Sequence, residues 1–85
     1  YTEGYNCLGY IFKEEGDFLQ AEYYFNQALN IDSDYLPALT NLANMILNKD
    51  PLKAIKILKK ALSVDKNSSQ INYNLGIAFM IAFML

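Results

Sequence analysis

Tyr5-Asn6-Cys7-Leu8-Gly9-Tyr10-Ile11-Phe12 is answered by Leu39-Thr40-Asn41-Leu42-Ala43-Asn44-Met45-Ile46, and again by Asn72-Tyr73-Asn74-Leu75-Gly76-Ile77-Ala78-Phe79. Leu8, Leu42 and Leu75 thus recur at steps of 34 and then 33 residues. What lies between them recurs too: Ala21, Phe25, Ala28, Leu29 and Asp32 correspond to Ala54, Leu58, Ala61, Leu62 and Asp65, 33 residues on. A fixed period of this size marks a stacked array, in which each unit is one supersecondary element that cannot bury its apolar face alone.

Within a unit the pattern is helical. Leu8, Phe12, Leu19, Tyr23 and the Phe25, Ala28, Leu29 cluster fall largely at three- and four-residue steps, the spacing of a buried helical stripe. Gly16-Asp17 interrupts the run, and Asp17 with Gln20 three residues later reads as a capping box opening the next helix. Asp50 before Pro51 is the matching signal in the second unit, because Pro is tolerated in a first helical turn. Ser33-Asp34 and Asn67-Ser68-Ser69 supply the remaining starts. These signals predict helices over about 2–14, 18–31, 35–48, 51–64 and 69–84. Gly9, Ala43 and Gly76 on the first helices, with Ala21, Ala28, Ala54 and Ala61 on the second, leave room for a facing helix, while Phe12, Phe25, Leu58 and Phe79 fill the remaining volume.

Eighty-five residues make one small domain, near the size at which a single core only just offsets chain entropy. Abundant Tyr and Phe with only two Pro exclude the composition of a disordered chain. Residues 1–42 hold seven acids and one Lys, and residues 43–85 hold two acids and six Lys, so the halves carry −6 and +4 and sum to −2. Such a dipolar chain attracts a charged partner, or its own kind head to tail. With no Arg and an acidic balance, nucleic-acid binding is not expected. Lys53, Lys56 and Lys60, with Lys49 and Lys59 nearby, give the fourth helix a basic face, read as a solvated outer surface or as a docking strip for an acidic partner. The start at Tyr1-Thr2, with neither Met nor a basic leader, points to part of a longer intracellular, cytoplasmic protein without a signal peptide.

Catalysis is not expected. No His occurs, the single Cys7 has no base to activate it and reads as a small packing residue, and no phosphate-binding Gly-rich loop, metal-ligand cluster or nucleophile elbow is present. Glu14, Glu15 and Asp17 sit where solvated carboxylates are common, so no metal or other cofactor is expected. The last nine residues, Ile77 to Leu85, contain no polar side chain, yet a membrane span needs about 20 apolar residues. That stretch reads instead as a third first-helix with an uncovered apolar face.

Tyr5, Leu8-Gly9, Phe12, Ala21 and Phe25 resemble the tetratricopeptide repeat, whose pattern is an aromatic, Leu-Gly, an aromatic, and then Ala-x3-Phe. The chain departs from it in carrying Ser33 and Lys66 for the closing Pro, Leu39 and Asn72 for the first aromatic, and Ala43 for Gly. The second unit is also one residue short at its Asn48-Lys49-Asp50-Pro51 turn. The resemblance implies an all-α, right-handed α-α superhelix of antiparallel helical hairpins: a first repeat over about 2–35, a second over 36–68 and a half repeat over 69–85. It implies protein or peptide binding in a concave groove lined by the first helices. Carried over, the groove positions are Asn6, Tyr10 and Lys13; Thr40, Asn41, Asn44 and Asn48; and Gln70, Tyr73, Asn74 and Ile77. Asn41 and Asn74 occupy the same place in consecutive units, where family members use asparagine amides along a peptide backbone, although Cys7 breaks that ladder. The carboxylate clamp of chaperone-binding members is not expected, because Asn6, Gln70 and Asn74 stand at the positions of its cations and Tyr10 at that of an asparagine, and only Asn41 agrees. The alternative function is a purely structural solenoid, or self-association through residues 77–85.

Overall fold

A computed structural model describes residues 1–84; Leu85, the last residue of the expected apolar run, lies outside the described residues. Five helices follow one another, α1 Thr2–Glu14, α2 Phe18–Ile31, α3 Leu36–Ile46, α4 Pro51–Val64 and α5 Ser69–Met84, with no strand among the described residues. Three- and four-residue connections force neighbouring helices to run antiparallel. The result is a helical-hairpin repeat, 36 × 27 × 17 Å in extent, whose thin dimension accommodates two helix layers.

Local chemistry sets each boundary. At the end of α1, Gly16 takes φ +81°, which lets Asp17 N–H reach Phe12 O at 2.9 Å and Gly16 N–H reach Lys13 O at 3.1 Å. This left-handed Gly closure satisfies carbonyls that the helix end would otherwise orphan. Asp17 then caps α2, its Oδ1 accepting from Gln20 N–H at 3.3 Å. The expected box is half made, because the Asp17 N–H that Gln20 would have bonded is already spent on Phe12 O. Asp50 caps α4 in the same way, from Lys53 N–H at 3.2 Å, with Pro51 in the first turn. Ser68 Oγ accepts from Ile71 N–H at 3.1 Å and opens α5.

Helix α3 differs from expectation at both ends. Asp32, rather than Ser33-Asp34, organises its entry: Asp32 Oδ1 accepts from Asp34 N–H at 3.1 Å, and Tyr35 stands extended as an N-cap without a side-chain bond. At the other end the helix stops at Ile46, whose carbonyl accepts from both Lys49 N–H and Asp50 N–H, so residues 47–49 form the turn that carries Asp50 to its capping position.

Two buried clusters form the core. The first gathers Ala21, Phe25 and Ala28 of α2, Ala38, Leu42 and Ile46 of α3 and Ala54 of α4, with Tyr5 and Phe12 of α1 packed against it. The second gathers Leu39 and Ala43 of α3, Ile55, Leu58 and Ala61 of α4, and Ile71 and Ala78 of α5. Phe25 and Leu58, one repeat step apart, are the largest fully buried side chains. Tyr5 and Phe12 of α1 both stack on Tyr24 of α2, at 6.1 and 5.6 Å between ring centroids.

The expected stripe needs correction. Leu19 is 81% exposed and Tyr23 is exposed as well, because α2 buries the Ala21, Phe25, Ala28 face and turns these two away from it. Leu8 is 40% exposed where its counterpart Leu42 is 2% exposed, since α3 has α2 behind it and α1 has no preceding helix in this chain. Phe79 fills no interior volume and is exposed on α5, and Gly76 makes no close approach, with nothing within 4 Å of where a Cβ would stand.

Candidate functional site

The first helices α1, α3 and α5 carry ten of the eleven expected groove residues; Asn48 alone lies beyond its helix, in the 47–49 turn. There it lines an edge hollow with Phe18, Leu19 and Glu22 of α2 and with Met45, Ile46 and Lys49. It is therefore separated from the amides described next.

Asn41 Nδ2 donates to Asn6 Oδ1 at 3.3 Å, a bond between successive units that joins α3 to α1. One step on, Gln70 Nε2 donates to Asn74 Oδ1 at 3.2 Å, and Asn74 is only 7% exposed. The place that the resemblance assigns to a peptide-binding amide is thus partly used inside the fold. No buried side-chain polar atom lacks a partner among the described residues, as a packed interior requires. Thr40 returns its hydroxyl to its own helix, donating to Leu36 O at 2.9 Å.

The more open members flank this row. Tyr10, Asn44 and Tyr73 are exposed, while Ile77 and Lys13 are half-buried. The Lys13 ammonium stands 5.1 Å from the centre of the Tyr10 ring, within cation–π range. The Glu14 carboxylate, as hydrogen-bond acceptor and as a negative charge, raises the Tyr10 phenol above its ordinary value, so this phenol stays a neutral donor at physiological pH. The arrangement offers neutral amides and hydroxyls, one cation and aromatic faces. It suits hydrogen bonding and stacking along a polypeptide.

On α4, Lys53 pairs with Glu22 of α2 at 3.0 Å, tying the two second helices together across the surface. Lys53, Lys56 and Lys60 border a shallow hollow floored by Leu39 and Ile57. Cys7 is exposed rather than packed inside as expected, whereas Asn41 at the corresponding place on α3 is partly buried. No group of three or more Cys, Asp or Glu is placed to hold a metal among the described residues.

What sequence reasoning missed was the pairing of the amides. The only signal for it was the presence of Asn at 6 and 41, which spacing alone does not bring within bonding distance.

Helical hairpins of this period, stacked through a small residue on one helix and a large one on the next, define a repeat protein of the α-solenoid class. Residues 2–35, which form α1 and α2, match the family model of the tetratricopeptide repeat. Repeats of this family generally mediate protein–protein interaction. Two curated relatives bear the name uncharacterized protein ycf37. That of Pyropia yezoensis is 38% identical over 69 residues, covering 80% of this chain and 39% of the relative. That of Porphyra purpurea is 32% identical over 69 residues, covering 80% of this chain and 40% of the relative. The chain therefore spans about two fifths of the length of these relatives. No helix among the described residues is long and apolar enough to cross a membrane.

Proposed function

We propose that the face built by α1, α3 and α5 is a non-catalytic binding groove for a peptide or helix of a partner protein, requiring no cofactor. The observation that carries this reading is the set of amides on the first helices, Asn6 of α1 bonded to Asn41 of α3 across successive units and Gln70 bonded to Asn74 within α5. Each pair is held in place by its own bond, so the donors and acceptors left on the accessible Asn6, Asn41 and Gln70 meet a ligand with less rotamer freedom to lose. The exposed Tyr10, Asn44 and Tyr73 supply contact area beside that row. Its uncharged amides, which both donate and accept, match the alternating donors and acceptors of a polypeptide backbone better than acceptor-only phosphate, which in turn disfavours a nucleic-acid partner.

Because Asn41 and Asn74 are engaged within the fold, the test belongs on the exposed members. A displayed peptide library is selected on the chain and counter-selected on the triple variant Tyr10→Ala, Asn44→Ala, Tyr73→Ala. Peptides enriched by the first and rejected by the second, with both proteins melting alike, support the groove. Peptides bound equally by both would overturn it.

A further inference from the structure

Lys53, Lys56 and Lys60 of α4 follow one another at steps of three and four residues, so they stand on one side of the helix within two turns, about 10 Å. All three are exposed, and they border the hollow that Leu39 of α3 and Ile57 of α4 floor. Lys53 is bonded to Glu22, the one ion pair among the described residues, so Lys56 and Lys60 have no such partner there. Asp50, at the end of the hollow, is engaged in capping α4 through Lys53 N–H. Like charges four residues apart on a helix repel, so Lys56 and Lys60 work against the helix that carries them. The repeat itself does not call for them, because the corresponding residues of α2 are Tyr23 and Gln27.

The hollow lies inside the array, on the side of α4 that faces α2, as the Lys53–Glu22 bond shows. A further unit stacked after α5, as α3 and α4 stack after α1 and α2, would set its second helix against Ile55, the residue of α4 that corresponds to Glu22 of α2. Ile55 is on another side of α4, buried in the cluster that holds Ile71 and Ala78 of α5. Stacking of more repeats therefore leaves the hollow open. Nor can a helix settle between α2 and α4, because a bond of 3.0 Å spans them and a helix is about 10 Å across. An extended segment is narrower, since neighbouring strands lie only about 4.8 Å apart.

We propose that this hollow is a second docking site, which binds an extended acidic segment of a partner protein in which carboxylates alternate with apolar side chains. Lys56 and Lys60 are separated by about 6 Å along the helix axis. Side chains on one side of an extended chain recur about every 6.8 Å, so carboxylates two residues apart reach both ammoniums. The intervening apolar side chain points the other way and covers the Leu39 and Ile57 floor. Charge at the rim steers the segment in, and the apolar contact holds it. Neither an Arg nor an aromatic ring lines the hollow, so it lacks the bidentate phosphate donors and the stacking platform that a nucleic acid would use. The site goes beyond the concave groove and uses none of its residues.

The probe is a fluorescently labelled, end-blocked peptide, Gly-Glu-Leu-Glu-Leu-Glu-Gly, titrated with the whole chain and followed by anisotropy. Saturable binding is expected, weakened about tenfold or more by Lys56→Gln with Lys60→Gln, or by Ser in place of both Leu of the peptide. Lys59→Gln with Lys66→Gln removes the same charge outside the hollow and should weaken binding by no more than about twofold. All four lysines are exposed, so both double variants are expected to melt like the unaltered chain. The groove variant Tyr10→Ala, Asn44→Ala, Tyr73→Ala should bind this peptide unchanged, so this proposal and the groove reading fail separately. Equal loss with the two lysine pairs, which would mean diffuse attraction, overturns the proposal, as does the absence of saturable binding at millimolar protein. So does displacement of the probe by oligouridine at a lower concentration than by unlabelled peptide, which would make a nucleic acid the occupant. Sedimentation of the chain alone as an oligomer that Lys56→Gln with Lys60→Gln dissociates also overturns it, in favour of a second copy.

Discussion

Gly9 and Gly76 occupy the same place in the repeat, and adding one methyl group to each should have opposite effects. An Ala in a helix interior is favoured over Gly by roughly 0.8–1 kcal/mol, because the unfolded chain loses freedom it would otherwise surrender on folding. At Gly76 nothing opposes that gain, since no atom lies within 4 Å of the new Cβ. Gly76→Ala should therefore stabilise the chain by about that amount, which for a domain of this size raises Tm by about 4–8 °C. At Gly9 the new Cβ would stand 2.6 Å from Phe25 Cδ1 and 2.7 Å from Cε1, and Phe25 is fully buried. Overpacking of this kind costs about 1–3 kcal/mol, which exceeds or cancels the propensity gain. Gly9→Ala should accordingly be neutral to destabilising by about 2 kcal/mol. The second unit shows how the clash is relieved, for Ala43 lies there in the same cluster as Leu58. The double variant Gly9→Ala, Phe25→Leu should be more stable than the sum of its single changes, a coupling that a double-mutant cycle isolates. Urea denaturation followed by far-UV circular dichroism measures the unaltered chain, Gly76→Ala and the three variants of the cycle. Equal stabilisation by Gly9→Ala and Gly76→Ala, or strict additivity with Phe25→Leu, would refute the reasoning.

Three further outcomes follow from the packing. Leu58→Ala should cost about 2–5 kcal/mol in the same denaturation assay, because the side chain is fully buried between α3 and α5, whereas Leu19→Ala on the exposed face of α2 should change stability by no more than about 0.5 kcal/mol. Asp50→Ala removes the acceptor for Lys53 N–H at the start of α4 and should cost about 1 kcal/mol, readable in thermal melts, while Asp50→Asn should retain most of that stability. The Tyr35 phenol is raised by burial first and then by the negative charges of Glu3, Cys7 and Asp32, so the fold favours its neutral form. Its contribution is complete below the ordinary Tyr value of 10.0 and is lost as pH rises through the higher folded value, and Tyr35→Phe should flatten the alkaline fall in melting temperature.

Much of this molecule was legible in its sequence because helices are local objects. Caps at Asp17, Asp50 and Ser68, the left-handed turn at Gly16 and Pro51 in a first turn act within a few residues, so they could be read in order along the chain. The repeat step likewise placed Phe25 and Leu58 in matching interior positions. The one start signal misread, at Ser33-Asp34, failed for a local reason too, since Asp32 bonds Asp34 N–H first.

Burial is not local, and there the repeat misled. Leu8 and Leu42 are the same letter in the same register, yet only Leu42 has a second helix behind it, so the two differ from 40% to 2% exposure. Gly9 and Gly76 are likewise identical in sequence; one is a close contact with Phe25 and the other an open notch. The amides of Asn6 and Asn41 meet only because α3 is laid beside α1. A sequence determines which face a helix can offer. Whether that face is spent on the core or left for a partner depends on which helix the stacked fold sets against it.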